Sequence, residues 1–168
     1  VNRIFKNRFY FILLSITISI YVLVFCILFF YFSQFIQLKI IIYILLLCCI
    51  SSDIGGFIFG KIFKGKKLTK ISPKKTVSGA IGSLVLGVFT VILLFNFFLK
   101  EFYIQSILVG LITSLACQIG DLFFSFLKRK AKLKDSSNFL PGHGGILDRL
   151  DGIFFGIPIG IISITLLF

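Results

Sequence analysis

YFILLSITISIYVLVFCILFFYF, residues Tyr10–Phe32, decides what kind of protein this is. The run holds no charged residue, and it exceeds the roughly 20 apolar residues that a helix needs to cross a bilayer core. A soluble core helix keeps a polar face; this run has none. Outward from it, Ile40–Ile50 repeats the pattern, and the whole chain follows: 58% hydrophobic, 14% charged, with 23 phenylalanines and no tryptophan. The expected fold is an all-α integral membrane protein.

Five apolar segments emerge, at Phe9–Phe32, Lys39–Gly60, Ser78–Leu99, Phe102–Leu127 and Gly152–Phe168. The last is short for a span. The formal charge of +12 would point to nucleic acid in a soluble protein. Here it is read as loops enriched in Lys and Arg on the cytoplasmic side of a membrane, with no nucleic-acid partner. Arg3, Lys6 and Arg8 precede the first span. Seven lysines lie between the second and third, and Lys128, Arg129, Lys130, Lys132, Lys134 and Arg149 lie between the fourth and fifth. Alternating spans put all of these on one face, leaving only Lys39 and Lys100 opposite. The expected protein is multi-pass, with its N-terminus and polar loops cytoplasmic, in the cell (inner) membrane. Cys26, Cys48, Cys49 and Cys117 all sit in apolar runs and read as inert packing residues. The chain opens on Val1 rather than Met, so a processed or partial chain is expected.

The charge that the spans avoid collects in SFLKRKAKLKDSSNFLPGHGGILDRLD, Ser125–Asp151. It holds three of the six acidic residues and the single histidine. Pro141-Gly142-His143-Gly144-Gly145 is a turn able to bring backbone N–H groups against an anion. Asp148 and Asp151 share a face if Ile146–Ile153 begins a helix. With Asp121 on the preceding helix they suit a hard divalent cation such as Mg²⁺, which takes carboxylates, phosphates and water. The bland reading of Asp148-Arg149-Leu150-Asp151 is an ion-paired helix start. The other loop, GKIFKGKKLTKISPKKTVSG (Gly60–Gly79), is basic; in it Ser72, Lys75 and Thr76 supply phosphate-binding donors, although the Walker glycine spacing is absent. Asp53 lies inside an apolar span about seven residues from its inner end, roughly 10 Å deep. A carboxylate there needs a polar cavity, a cation or a partner such as Lys61. Together these residues point to metal-dependent phosphoryl or nucleotidyl chemistry at a membrane edge.

Ser125, Lys128-Arg129, Lys134-Asp135, Ser137, Leu140-Pro141, His143-Gly144-Gly145, Asp148-Arg149 and Asp151 resemble the signature of the phosphatidate cytidylyltransferase (CDP-diacylglycerol synthase) family. Asp53, Gly60, Gly65, Ser72, Pro73, Lys75 and Thr76 resemble its upstream block, and Gly120-Asp121 a third. The resemblance spans Ile50 to Gly152, with signature segments 51–79 and 120–152 in one membrane domain over 1–168. Val77 and Ser78 depart from it, standing where the family often has an aromatic residue and a Glu.

The resemblance implies transfer of a cytidylyl group from CTP to phosphatidate, giving CDP-diacylglycerol and pyrophosphate. Asp121, Asp148, Asp151, Lys128 and Arg129 are implied as catalytic. Ser72, Lys75, Thr76, Ser125, His143, Gly144, Gly145 and Arg149 are implied as substrate-binding. Asp121, Asp148 and Asp151 are expected to hold Mg²⁺, with Asp53 a candidate for a second cation; a homodimer is also expected. A CTP-dependent lipid kinase and a non-catalytic cation-binding transporter are the alternative readings.

Overall fold

The computed structural model describes residues 2–69, 72, 75–99, 103–131 and 150–168, with side chains for 12–69, 72, 75–98, 104–131 and 150–168. Most of these residues lie in α1 (Asn2–Phe32), α2 (Ile36–Phe63), α3 (Val77–Leu99), α4 (Tyr103–Lys130) and α5 (Ile153–Leu167). The first four contain stretches long and apolar enough to span a membrane. At 15 residues, α5 is shorter than a full span. Helices are the expected solution, because within a bilayer each backbone N–H and C=O must find its partner inside its own segment. Even Pro158 within α5 is tolerated, as prolines are in membrane helices whose neighbours satisfy the freed carbonyl.

The chain forms two compact units, Val1–Lys39 and Ile40–Phe168. In the first, α1 starts on a basic stretch with Arg3, Lys6 and Arg8 and continues as an apolar run, of which none of Ile12–Phe32 is buried. Cys26 is exposed, so it is not the packing residue its apolar surroundings imply. The helix ends in a tight turn in which the Gln34 N–H donates to Tyr31 O (3.2 Å) and the Phe35 N–H to Phe32 O (3.2 Å).

In the second unit the helices alternate in direction. Gly55 of α2 faces Gly82 of α3, and Gly60 faces Gly79. Gly87 of α3 meets Ser114 of α4, while Gly120 of α4 meets Asp151 and Phe155 at the start of α5. At the opposite end the Gln105 side-chain amide of α4 donates to Leu167 O of α5 (3.1 Å). The C-terminal ends of α2 and α4 therefore lie with the N-terminal ends of α3 and α5. This juxtaposition gathers the polar segments.

Close helix approach explains the glycines. A Cβ on Gly55 would stand 2.5 Å from Gly82 O, and one on Gly79 would stand 2.7 Å from Gly56 O. Without a hydrophobic drive between helices in lipid, such close backbone packing is a main source of association. The buried core is completed by Ile44, Leu45, Cys48, Cys49, Val91, Phe95, Val109, Cys117 and Ile157. Hydroxyls tie three helices together. Ser114 Oγ donates to Ser83 O (3.1 Å), so it accepts from Ser52 Oγ at 2.8 Å.

Candidate active site

The site begins where α2 stops. Lys64 adopts φ 44°, in the left-handed region that terminates helices, and Gly65 follows. The chain then doubles back as a narrow hairpin. The Leu68 N–H donates to Lys75 O (2.8 Å) and the Val77 N–H to Lys66 O (3.0 Å), pairing Lys67 opposite Thr76. Thr76 caps α3, its Oγ1 accepting from the Gly79 N–H at 3.1 Å. The same oxygen lies 3.1 Å from Ser78 Oγ. Thr76, read from sequence as a phosphate ligand, thus aims α3; Ser78 stands in that first turn where the family often has Glu.

Beneath the hairpin lies a cavity of about 490 Å³. Asp53, Gly56 and Phe57 of α2 line it, with Leu68, Ser72, Lys75 and Thr76 of the hairpin, and Gln118, Asp121 and Leu122 of α4. The Lys75 ammonium is ion-paired with the Asp121 carboxylate, and both are half-buried. Asp121 Oδ1 also accepts from Ser125 Oγ (3.5 Å), one turn onward. The Cys117 thiol, fully buried, donates to Asp53 Oδ1 at 3.9 Å. Two carboxylates from two helices, one ammonium and the hydroxyls of Ser72, Thr76 and Ser83 share a concave wall. A cation or a phosphate finds complementary groups there.

Asp53 lies deeper than expected, because α2 continues to Phe63. Ten residues of helix beyond Asp53 put it roughly 15 Å from that end. It does not turn to Lys61, whose Nζ lies 5.8 Å above the Phe57 ring. The carboxylate faces the cavity instead.

Lys128 and Asp151 hold each other. Nζ and Oδ2 lie 2.7 Å apart, and Asp151 is 3% exposed. The pair joins the end of α4 to the start of α5, and Asp151 does not line the cavity. Asp151 also precedes α5, which begins at Ile153. Arg129 is exposed on the last turn of α4. His143, Gly144, Gly145, Asp148 and Arg149 lie outside the described residues. Among the described residues no group of three or more His, Cys, Asp or Glu side chains converges as a metal cluster. Two cavity carboxylates still match the one or two that Mg²⁺ usually takes from protein alongside phosphates and water.

Gln118 was missed by the sequence reading. Its Nε2 donates to Ala80 O of α3 (3.2 Å) while the side chain lines the cavity. The signal was present: Ser114, Gln118, Asp121 and Ser125 recur at three and four residues, a polar stripe along α4.

A family model described as the cytidylyltransferase family matches residues 2–167. Curated phosphatidate cytidylyltransferases are similar in sequence. That of Rickettsia felis is 44% identical over 126 residues, covering 69% of this chain and 56% of the relative. That of Synechocystis is 41% identical over 135 residues, covering 76% and 44%. That of Mycobacterium leprae is 36% identical over 127 residues, covering 75% and 40%. The chain spans about half the length of the curated relatives it matches.

Proposed function

The chain belongs to the cytidylyltransferase family, and from that premise we propose that it carries the catalytic portion of a membrane enzyme joining CTP to phosphatidate. The observation that carries this reading is the cavity in which Asp53, Asp121 and Lys75 meet from α2, α4 and the hairpin. Nucleotide and lipid phosphates need cations and hydroxyls at the membrane edge, and this wall supplies them.

In the reaction, a phosphate oxygen of phosphatidate attacks the α-phosphorus of CTP. The new P–O bond forms as the bond to the β-phosphate breaks, giving CDP-diacylglycerol and pyrophosphate. A phosphomonoester has a second pKa near 6, so the nucleophile is already ionised and no strong general base is needed. The protein's task is positioning and charge neutralisation. Lys75 brings positive charge to the cavity wall, with Ser72 beside it as a hydroxyl donor. Thr76 fixes the start of α3, and Gln118 braces α4 against α3. Arg129, His143, Gly144, Gly145 and Arg149 are assigned to the same phosphates by the signature they match, with Lys128 and Ser125 flanking. Asp53 and Asp121 on the cavity wall are the carboxylates that would hold Mg²⁺; the signature assigns Asp148 and Asp151 to the same ion, although the Asp151 carboxylate is paired with Lys128 away from the cavity. When bound, the ion would supply Lewis-acid stabilisation of the phosphate charge. The hairpin and the α4–α5 loop are cytoplasmic in this reading, and the membrane is the inner one.

Product analysis tests the reaction class. Membranes bearing the chain, given CTP and phosphatidate, are expected to release pyrophosphate in step with a cytidylate-bearing lipid. Release of CDP instead would identify a phosphoryl-transferring lipid kinase and contradict the proposal.

A further inference from the structure

Phe57 belongs to two surfaces at once. It lines the cavity, and it is 69% exposed on the outside of α2. Ile54, Phe57, Ile58, Lys61 and Ile62 recur at three- and four-residue spacing, so they form one face of the helix's last turns. Its apolar members are all exposed. Lys61 stands on the face in the last turn of α2, just before Ile62, with its Nζ above the Phe57 ring. Beyond it the hairpin carries Lys64, Lys66 and Lys67, all exposed. An apolar strip one residue wide, ending in a lysine and then a basic rim, matches the shape and charge order of a single anionic lipid. Acyl chains follow the isoleucines, and the phosphate stops at the lysines.

We infer that this face of α2 is a docking surface for a phosphomonoester lipid, seated with its headgroup at Lys61 and passed over Phe57 into the cavity. The inference rests on the reading above that a lipid phosphate reacts in that cavity. It goes further in naming where the lipid waits and which residue selects it. Charge complementarity favours this occupant. A phosphomonoester carries close to two negative charges at neutral pH, whereas phosphatidylcholine is net neutral and gains nothing from the four lysines. Lys61 is exposed with its Nζ 5.8 Å from the Phe57 ring centroid, so its ammonium is free to reach headgroup level, as basic side chains snorkel at membrane interfaces.

The chain contains no tryptophan, which makes a direct test available without turnover. Phe57→Trp places a single indole on the face. Its fluorescence is then quenched in phosphatidylcholine vesicles containing brominated-acyl phosphatidate or, at equal mole fraction, brominated phosphatidylcholine. Phosphatidate is expected to quench with about five-fold higher apparent affinity, the effect of one lysine near an anionic group. Adding Lys61→Gln should bring the two lipids together, and Lys61→Arg should keep them apart. Ile62→Trp, on the same face, gives a second reporter should the first variant fold poorly. Equal quenching by both lipids from both reporters overturns the inference. So does a disulfide-linked dimer formed through Ile58→Cys in a Cys26→Ala background that keeps the phosphatidate preference with this face covered. A phosphatidate preference in a chain that makes no CTP-dependent product supports the surface and counts against the proposed reaction alone.

Discussion

Two ion pairs at this end of the bundle carry different physics. Lys75 and Asp121 are half-exposed on the cavity wall, where an ion pair contributes about 0–1 kcal/mol to stability. Lys75→Ala should therefore unfold within about 1 kcal/mol of the parent in detergent, yet raise the apparent KM for CTP or phosphatidate about ten-fold. That is the usual scale for losing a charged hydrogen bond, and unchanged kinetics would remove Lys75 from the phosphate site. Lys128 and Asp151 are packed between α4 and α5, with Asp151 buried. Removing one member of a buried pair costs about 3–5 kcal/mol, more than removing both. Lys128→Ala and Asp151→Ala should each lower the melting temperature sharply, and the double variant should recover part of the loss. If both single variants melt like the parent, the pair is not structural, and a direct role in chemistry gains ground.

The helices meet through glycine, and two of the contacts differ in a useful way. A Cβ on Gly55 runs into the backbone carbonyl of Gly82, which has nowhere to go. A Cβ on Gly82 collides with the Phe59 side chain instead. Overpacking of this kind costs typically about 1–3 kcal/mol. Both Gly55→Ala and Gly82→Ala should reduce thermal stability; Phe59→Ala should relieve Gly82→Ala only in part, because the Phe59 Cβ, 2.4 Å from the added carbon, remains, and should leave Gly55→Ala unrescued. Rescue of both would show that the α2–α3 interface yields more than its backbone contact implies. The spans themselves were legible from the length of apolar runs such as Tyr10–Phe32, since the bilayer sets that length directly. What Asp53 meets was not legible, because a carboxylate's depth says only that a partner is needed. Its cavity depends on the return of the hairpin over α2, and that return depends on Lys64 in a left-handed conformation and on Thr76 as a cap. Thr76 shows the limit well: a threonine before an apolar run can be a phosphate donor, a helix cap or both, and the structure adds the cap, with the Gly79 amide donating to an oxygen that also lines the cavity.

At the scale of the molecule, alternation of the helices in the Ile40–Phe168 unit puts Asp53, the hairpin, Asp121, Lys128 and Asp151 at one end, where the loops are basic. If that end is cytoplasmic, a membrane-impermeant maleimide should label Lys66→Cys only from the cytoplasmic side and Phe98→Cys only from the other, both in a Cys26→Ala background. Reversed labelling would invert the topology and the proposed side of catalysis. The central claim is that the cavity between α2, α4 and the hairpin is where CTP and phosphatidate react. Its most direct measurement is incorporation of label from α-phosphate-labelled CTP into chloroform-soluble lipid, by membranes carrying the parent chain or Asp121→Asn at equal protein levels. The account predicts phosphatidate-dependent incorporation by the parent that falls by at least about 100-fold in Asp121→Asn, the scale on which one charge-stabilising group acts in catalysis. Near-parental incorporation by Asp121→Asn, with the protein still in the membrane, would contradict it.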